Sequence, residues 1–264
     1  MSKPGIKPKQ SLGQNFLTDR NVALKIVNSL QLDKDDTVLE IGPGLGVLTK
    51  IVQPLVKKLV AVEIDRYLAG QLEEQFVSCA NCKIVQSDFL KYDLSVFKEK
   101  NIRVIGNIPY NITSPILFKI VETRSIVKDL TMLIQKEVAQ RIVSRPNTKD
   151  YGILAVFSQV FAKVKILMHV PRTVFSPKPK VESSLVRWEF TEQFAKNIQD
   201  IGLFKKIVRQ AFGQRRKMLR NSLREFFELN PDIFDYTKRP EQLGIEEWID
   251  FTNKIRAIIS VQNE

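Results

Sequence analysis

Thr37-Val38-Leu39-Glu40-Ile41-Gly42-Pro43-Gly44-Leu45-Gly46 is the stretch that decides the fold. The apolar run Thr37–Ile41 reads as a buried strand. It breaks on three glycines, and a helix follows from about Val47. Glycine lets the chain turn sharply and lets a ligand approach the backbone closely. Strand, glycine turn and helix together make a nucleotide-type turn. It departs from G-x-G-x-x-G, because Val47 stands where the third glycine would fall. No G-K-[ST] follows, so a phosphate-binding P-loop is excluded.

Working outward, strands and helices alternate. Leu59–Ile64, Lys83–Gln86, Arg103–Ile108 and Leu130–Gln135 read as strands; Tyr67–Phe76, Thr113–Val121, Lys136–Ser144 and Ile153–Ala162 read as helices. This grammar predicts a mostly parallel sheet covered on both faces. Val164–Val170 and Ser184–Phe190 are late strands joined by a proline-rich loop, with no helix between them, so one of them is expected to be antiparallel. Upstream, Thr18 or Asp19 caps a helix to about Leu30 that carries Val22, Ile26, Val27 and Leu30 on one face. Ser11–Leu17 reads as a loop, and residues 1–10 as a mobile basic arm with Lys3, Lys7 and Lys9. Beyond Phe190 the pattern is helical only: Leu203–Phe227, interrupted at Gly213, then Glu246–Ile259. Two domains are expected, an α/β domain over 1–190 and a small all-helical domain over 191–264.

The chemistry-bearing residues fall at the carboxyl ends of the strands, where open α/β sheets bind ligands. Glu63 ends the second strand, 21 residues after Gly42, where a carboxylate can accept both hydroxyls of a ribose. Asp88 ends the third; it can accept from an adenine amino group, or simply cap the next turn. With Gly42 and Gly44, these residues suit either NAD or S-adenosylmethionine. Asn107-Ile108-Pro109-Tyr110 closes the fourth strand and delivers an amide, a forced extended bend and an aromatic ring together. That set suits gripping a planar base with an exocyclic amine, and a tight structural turn is its rival.

Composition narrows the partners. With 44% hydrophobic residues in 264, a large core is available, and no apolar run approaches the roughly 18 residues of a membrane span. No secretory signal is visible, so a cytoplasmic protein without a membrane partner is expected. The net charge of +12 favours a polyanion. Cys79 and Cys82 form one C-x-x-C, with His169 the single histidine. That is too few ligands for a zinc ribbon, and the cysteine pair leads into a strand rather than a helix, which argues against redox work. No metal site is expected, and His169 is read as structural. From Gly202 to Arg224 there are eight basic residues, among them Arg215, Arg216, Lys217 and Arg220, and no acid. Yet residues 191–264 hold 13 basic and 11 acidic residues in all, so the first domain must also offer positive surface. Arg141, Arg145, Lys149, Lys178 and Lys180 are its candidates, and binding that weakens steeply with salt is expected.

Beyond these local readings, E-I-G-P-G-L-G-V-L-T (40–49), Glu63, Asp88 and N-I-P-Y resemble the S-adenosylmethionine-dependent adenine-N6 methyltransferases. More narrowly, the chain is similar to the bacterial 16S ribosomal RNA adenine dimethyltransferases. S-L-G-Q-N-F-L (11–17), N-I-P-Y-N-I-T-S-P-I (107–116), Q-K-E-V-A-Q-R-I (135–142), D-Y-G-I-L-A-V (150–156), F-S-P-K-P-K-V-E-S-S (175–184) and R-R-K-M-L-R-N-S-L (215–223) carry that similarity. The resemblance implies a seven-stranded Rossmann-like methyltransferase domain with a small helical domain. It implies four methyl transfers onto two adjacent adenosines near the 3′ end of small-subunit ribosomal RNA. It also implies a cofactor site lined by Asn15, Leu17, Gly42, Glu63, Asp88 and Asn107. In the chemistry, the Asn107 amide oxygen and the Ile108 carbonyl would accept the two N6 hydrogens. Tyr110 would stack on the flipped base and Phe175 would cover its other face. The expected partner is 16S ribosomal RNA within the small subunit or its precursor, met by a monomer. Three other readings compete: the antibiotic-resistance methyltransferase of large-subunit RNA, which shares N-I-P-Y; an RNA-binding assembly factor with secondary catalysis; and a nicotinamide oxidoreductase.

Overall fold

A computed structural model describes residues 8–9, 12–227, 229, 231 and 234–262; Lys3 and Lys7 of the expected arm lie outside them. The chain divides into two compact units. The first runs to Ala139 and resumes over Lys165–Phe190; the second comprises Gln140–Val164 and the chain from Thr191.

The first unit is built from β1 (Phe16–Leu17), α1 (Arg20–Leu30), β2 (Thr37–Ile41), α2 (Val47–Val52), β3 (Lys58–Glu63), α3 (Arg66–Phe76), β4 (Cys82–Gln86), β5 (Ile102–Asn107), α4 (Thr113–Glu122) and β6 (Val127–Gln135). After α5 (Lys136–Ile142) and α6 (Ile153–Phe161), the strands β7 (Ala162–Val170), β8 (Phe175–Ser176) and β9 (Ser183–Phe190) complete it. Seven strands form one sheet in the order β4-β3-β2-β5-β6-β9-β7. β2 pairs in parallel with β3 and β5, β3 with β4, and β5 with β6, whereas β9 runs antiparallel to β6. Every residue of β2 is buried, as are five of the six in β3 and in β5, as expected for strands covered on both faces.

Local chemistry explains the boundaries. Asp19 caps α1, its Oδ1 accepting from the amides of Asn21 (2.8 Å) and Val22 (3.0 Å). Ile26, Val27 and Leu30 of α1 enter a core shared with Val38, Leu48, Leu59, Ile105 and Leu185, while Val22 packs only partly buried against it. The loop reading of Ser11–Leu17 needs correction at its end. Phe16 pairs antiparallel with Ser176 and Leu17 with Phe175, so two segments far apart in sequence zip into a small ribbon.

The second unit corrects the boundary at 190. Residues 140–164 segregate with the C-terminal helices, because α6 (ILAVFSQVF) is apolar but for Ser158 and Gln159 and buries six of its nine residues. Phe157 and Phe161 meet the ring of Phe204 edge-on at 5.8 and 6.5 Å, and Tyr151 meets Phe212 at 6.2 Å. Phe204 belongs to α7 (Ile201–Gly213), which stops at the expected interruption; α8 (Leu219–Leu223) and α9 (Ile245–Gln262) follow. Trp248 and Phe251 of α9, both fully buried, extend the aromatic core to Phe212 and Phe234. Residues 140–164 bring Arg141, Arg145, Lys149 and Lys163 against Asp150 alone, which raises the helical unit from a net +2 to +5.

Candidate active site

The strand order reverses between β2 and β5, and the two strands are in register with Ile41 opposite Gly106. The residues after each strand therefore emerge side by side: the glycine turn from β2 and Asn107-Ile108-Pro109-Tyr110 from β5. A ligand crevice belongs at such a switch point. The turn is held by Gly42 N–H donating to Val62 O (2.9 Å) and Gly46 N–H donating to Pro43 O (2.9 Å). Gly44 (φ +57°) could not be another residue. Its backbone is left-handed, and a Cβ there would stand 2.9 Å from the Phe16 ring.

A cavity opens at this point. Its walls include Asn15, Phe16, Leu17, Gly42, Gly44, Glu63, Asp88, Asn107, Ile108 and Pro109, together with Glu40, Phe89, Leu90 and Asn111. Tyr110 and Phe175 are not part of the lining. Three carboxylates (Glu40, Glu63 and Asp88) face the cavity, and among the described residues no lysine, arginine or histidine does.

Each carboxylate is held differently. Glu63, 3% exposed, receives the Gly44 amide on Oε2 (3.0 Å) and the Asp65 amide on Oε1 (2.9 Å). Burial raises its pKa, and the two amides oppose that rise. Each oxygen keeps a lone pair for a further donor. Asp88 Oδ1 accepts from the Leu90 amide at 2.9 Å, the capping role, while Oδ2 has no partner among the described residues. Glu40 was not singled out in the sequence. It is 1% exposed, its Oε2 lacks a hydrogen-bond partner, and burial pushes its pKa up to about 7. Its signal was a charged residue inside an otherwise apolar buried strand.

The amide of Asn107 has a defined orientation. Nδ2 donates to Asn15 O at 3.1 Å, which leaves Oδ1 as the acceptor available to a ligand. Lys9 and Gln14 fasten the same N-terminal segment to Asp65, with Lys9 Nζ at 2.9 Å and Gln14 Nε2 at 3.4 Å. Burial opposes ionisation of Asp65, yet Lys9, the Tyr67 amide and Gln14 hold its pKa below the usual range. Tyr110 is half-buried beside the cavity, its hydroxyl 2.7 Å from Ser183 Oγ.

Phe175 does not fill the role expected of it. It is 5% exposed and sits in the apolar cluster with Leu17, Ala23, Val170 and Val174, tied down by the pairing of β1 with β8. The aromatic ring that reaches the cavity from this ribbon is Phe16, which pairs with Ser176 and lines the wall beside Leu17.

The basic residues also separate. Arg216, Lys217 and Arg220 are exposed around the turn from α7 to α8, without an ion-pair partner among the described residues; Arg141, Lys178 and Lys180 are exposed likewise. Arg215 instead donates to Thr148 O at 3.0 Å and faces Glu241 at 3.9 Å, so it braces the helical unit. Cys82 is a poor nucleophile, since burial pushes its thiol up to about 11. His169 Nδ1 lies 2.9 Å from Ser184 Oγ on the neighbouring strand. No helix among the described residues is long and apolar enough to cross a membrane.

Comparison with known proteins places this site in context. The model of the family described as ribosomal RNA adenine dimethylase matches residues 5–244. A ribosomal RNA small subunit methyltransferase A from Chlorobium phaeobacteroides (strain BS1) is 42% identical over 255 residues, 96% of this chain and 95% of that protein. One from Phocaeicola vulgatus is 40% identical over 258 residues, covering 96% and 91%. Among solved structures, a dimethyladenosine transferase from Plasmodium falciparum shares the fold with a TM-score of 0.76 at 24% identity, covering 90% of this chain and 98% of that one. The 23S rRNA methyltransferase ErmE superposes with a TM-score of 0.68 at 25% identity, covering 92% and 100%.

Proposed function

The chain belongs to the ribosomal RNA adenine dimethylase family, and from that premise we propose how its residues divide the work. The enzyme transfers methyl groups from S-adenosylmethionine to adenine N6 in small-subunit ribosomal RNA, giving N6,N6-dimethyladenosine. In our reading the targets are two adjacent adenosines near the 3′ end, presented by the small subunit or its precursor in the cytoplasm. In the same reading the enzyme works as a monomer.

The cavity fits this cofactor better than a dinucleotide. A lining of three carboxylates, with no basic side chain among the described residues, suits a cation rich in hydroxyl and amino donors, and suits a pyrophosphate poorly. Glu63 would take the ribose hydroxyls with the lone pairs its amides leave over, and Asp88 Oδ2 the adenine amino group. Asn15, Leu17, Gly42 and Gly44 would shape the remainder. When bound, the cofactor supplies a strongly electrophilic methyl group.

The remaining task is to make adenine N6 a nucleophile, because its lone pair is delocalised into the ring. Asn107 Oδ1, with its amide oriented by Asn15, and the Ile108 carbonyl accept the two N6 hydrogens. This draws nitrogen towards tetrahedral geometry and aims it. Tyr110 stacks on the extruded base, worth about 1–3 kcal/mol against an extrusion cost of a few. No general base is needed, since the methylated nitrogen is acidic enough to lose its proton to water. Arg141, Lys178, Lys180, Arg216, Lys217 and Arg220 contact phosphates of the RNA. Arg215 supports them by bracing the turn.

The observation that carries this reading is Asn107, fixed with its acceptor free beside an acidic cavity at the strand switch point. Incubating the enzyme with labelled S-adenosylmethionine and each purified ribosomal subunit, then mapping modified nucleotides, tests it. Dimethyladenosine in small-subunit RNA is expected; label confined to large-subunit RNA would reject it.

A further inference from the structure

Tyr110 is anchored at two ends. Pro109 (φ −56°, ψ 135°) delivers it into a single turn of 3-10 helix, and the Thr113 hydroxyl donates to its carbonyl at 3.1 Å. At the far end of the ring, the phenol oxygen lies 2.7 Å from Ser183 Oγ. Ser183 is fully buried, opens β9 and pairs with Gln135 at the end of β6, so this second anchor is part of the sheet. Ser184, the next residue, faces the other side of the strand and bonds His169 instead. The ring is thus held as a fixed platform, and the ordering cost of placing it against a base is met before the base arrives.

We propose that Ser183 is a positioning residue for the second methyl transfer, acting through its hydroxyl bond to Tyr110. The inference rests on the reading of Tyr110 as the stacking ring. In the first transfer the adenine presents two N6 hydrogens, to Asn107 Oδ1 and the Ile108 carbonyl. After it, N6 carries one hydrogen and one methyl group, so one of those hydrogen bonds is gone and the base is larger. Stacking on a rigid ring then carries more of the alignment. Loosening the ring handicaps the second transfer more than the first, and monomethyladenosine accumulates.

The test uses full-length enzyme and unmethylated small subunits, with mono- and dimethyladenosine quantified by mass spectrometry of digested RNA. Ser183→Ala is expected to raise the mono-to-dimethyl ratio about three- to tenfold, the value of one hydrogen bond. Its calorimetric affinity for S-adenosylmethionine should stay within about twofold, since Ser183 does not line the cavity. Tyr110→Phe should shift the ratio similarly, and the double variant no further, because the two changes break one bond. Ser184→Ala should leave the ratio unchanged. An unaltered ratio in Ser183→Ala, multiplying effects in the double variant, or an equal shift in Ser184→Ala would each overturn the proposal. A wild-type enzyme that yields no dimethyladenosine at all would overturn the functional reading, and this inference with it.

Discussion

Arg103 and Glu40 are buried alike, 2% and 1% exposed, on adjacent strands of one sheet, but they lie towards opposite ends of it. Towards the amino ends, the chain supplies acceptors for all five N–H groups of Arg103. Asp129 takes Nε and Nη2, Asp36 and the Gln31 carbonyl take Nη1, and the Leu30 carbonyl takes Nη2. The two carbonyls are orphans at the end of α1, so the guanidinium also caps a helix. Arg187 adds a further bond to Asp129 at 2.6 Å. Towards the carboxyl ends, among the described residues, Glu40 has an unpartnered oxygen, Glu63 has only backbone amides, and no cation faces either from the cavity wall. One end of the sheet closes its electrostatics within the fold. The other leaves them to be completed by a ligand.

The largest expected effect tests the closed end. Asp129→Ala strands two buried guanidiniums and should cost about 3–5 kcal/mol in denaturant unfolding. Replacing Arg103 and Asp129 together by Met and Leu should recover only part of that loss, because Arg187 is then left with Glu189 alone among the described residues and Asp36 loses its cation. A cost of about 1 kcal/mol or less for Asp129→Ala would break the comparison. It would mean that water reaches the network.

Next comes the open end. Asn107→Ala should lower kcat on small subunits by about 10²-fold or more, as removal of a pre-aimed polar group in an active site does. Its melting temperature should change little, and S-adenosylmethionine affinity by calorimetry should persist in part. A variant that melts much earlier while turning over normally would make Asn107 a structural residue like Arg103, and the contrast between the ends would disappear.

The two ends were not equally legible in the sequence. The glycine turn, Glu63, Asp88 and Asn107 announce themselves because each is a polar or conformationally special residue where an apolar strand stops. Arg103 was read only as the first residue of a strand. Its partners Asp36 and Asp129, and the Arg187 that shares Asp129, are brought together by strand pairing that no local pattern encodes. The placing of Phe16 at the cavity and of Phe175 in the core has the same origin: the β1–β8 ribbon decides which ring lines the cavity, and its halves are far apart in the chain. Helix α6 was assigned to the first unit although its largely apolar surface was visible. That surface says it must be covered, not by which neighbour.

The last effect concerns Glu40 and depends on pH. Its folded pKa, about 7, lies above the ordinary 4.5, so between those values the folded protein keeps a proton that the unfolded chain has released. Stability contributed by this group is therefore complete below about pH 4.5 and is lost as pH rises through 7. By pH 8 the loss approaches 3 kcal/mol, taking about 1.4 kcal/mol per pKa unit. Glutamine never ionises, so Glu40→Gln should unfold with the same free energy as wild type near pH 4.5 and be the more stable protein at pH 8. Thermal or urea unfolding across pH measures this directly. Saturating S-adenosylmethionine should narrow the gap at pH 8, because a bound cation favours the ionised carboxylate. A gap that persists unchanged with ligand would mean the unpartnered oxygen of Glu40 is a packing compromise and not part of the open end. A gap that is absent without ligand would mean that Thr49, facing it, already satisfies the charge.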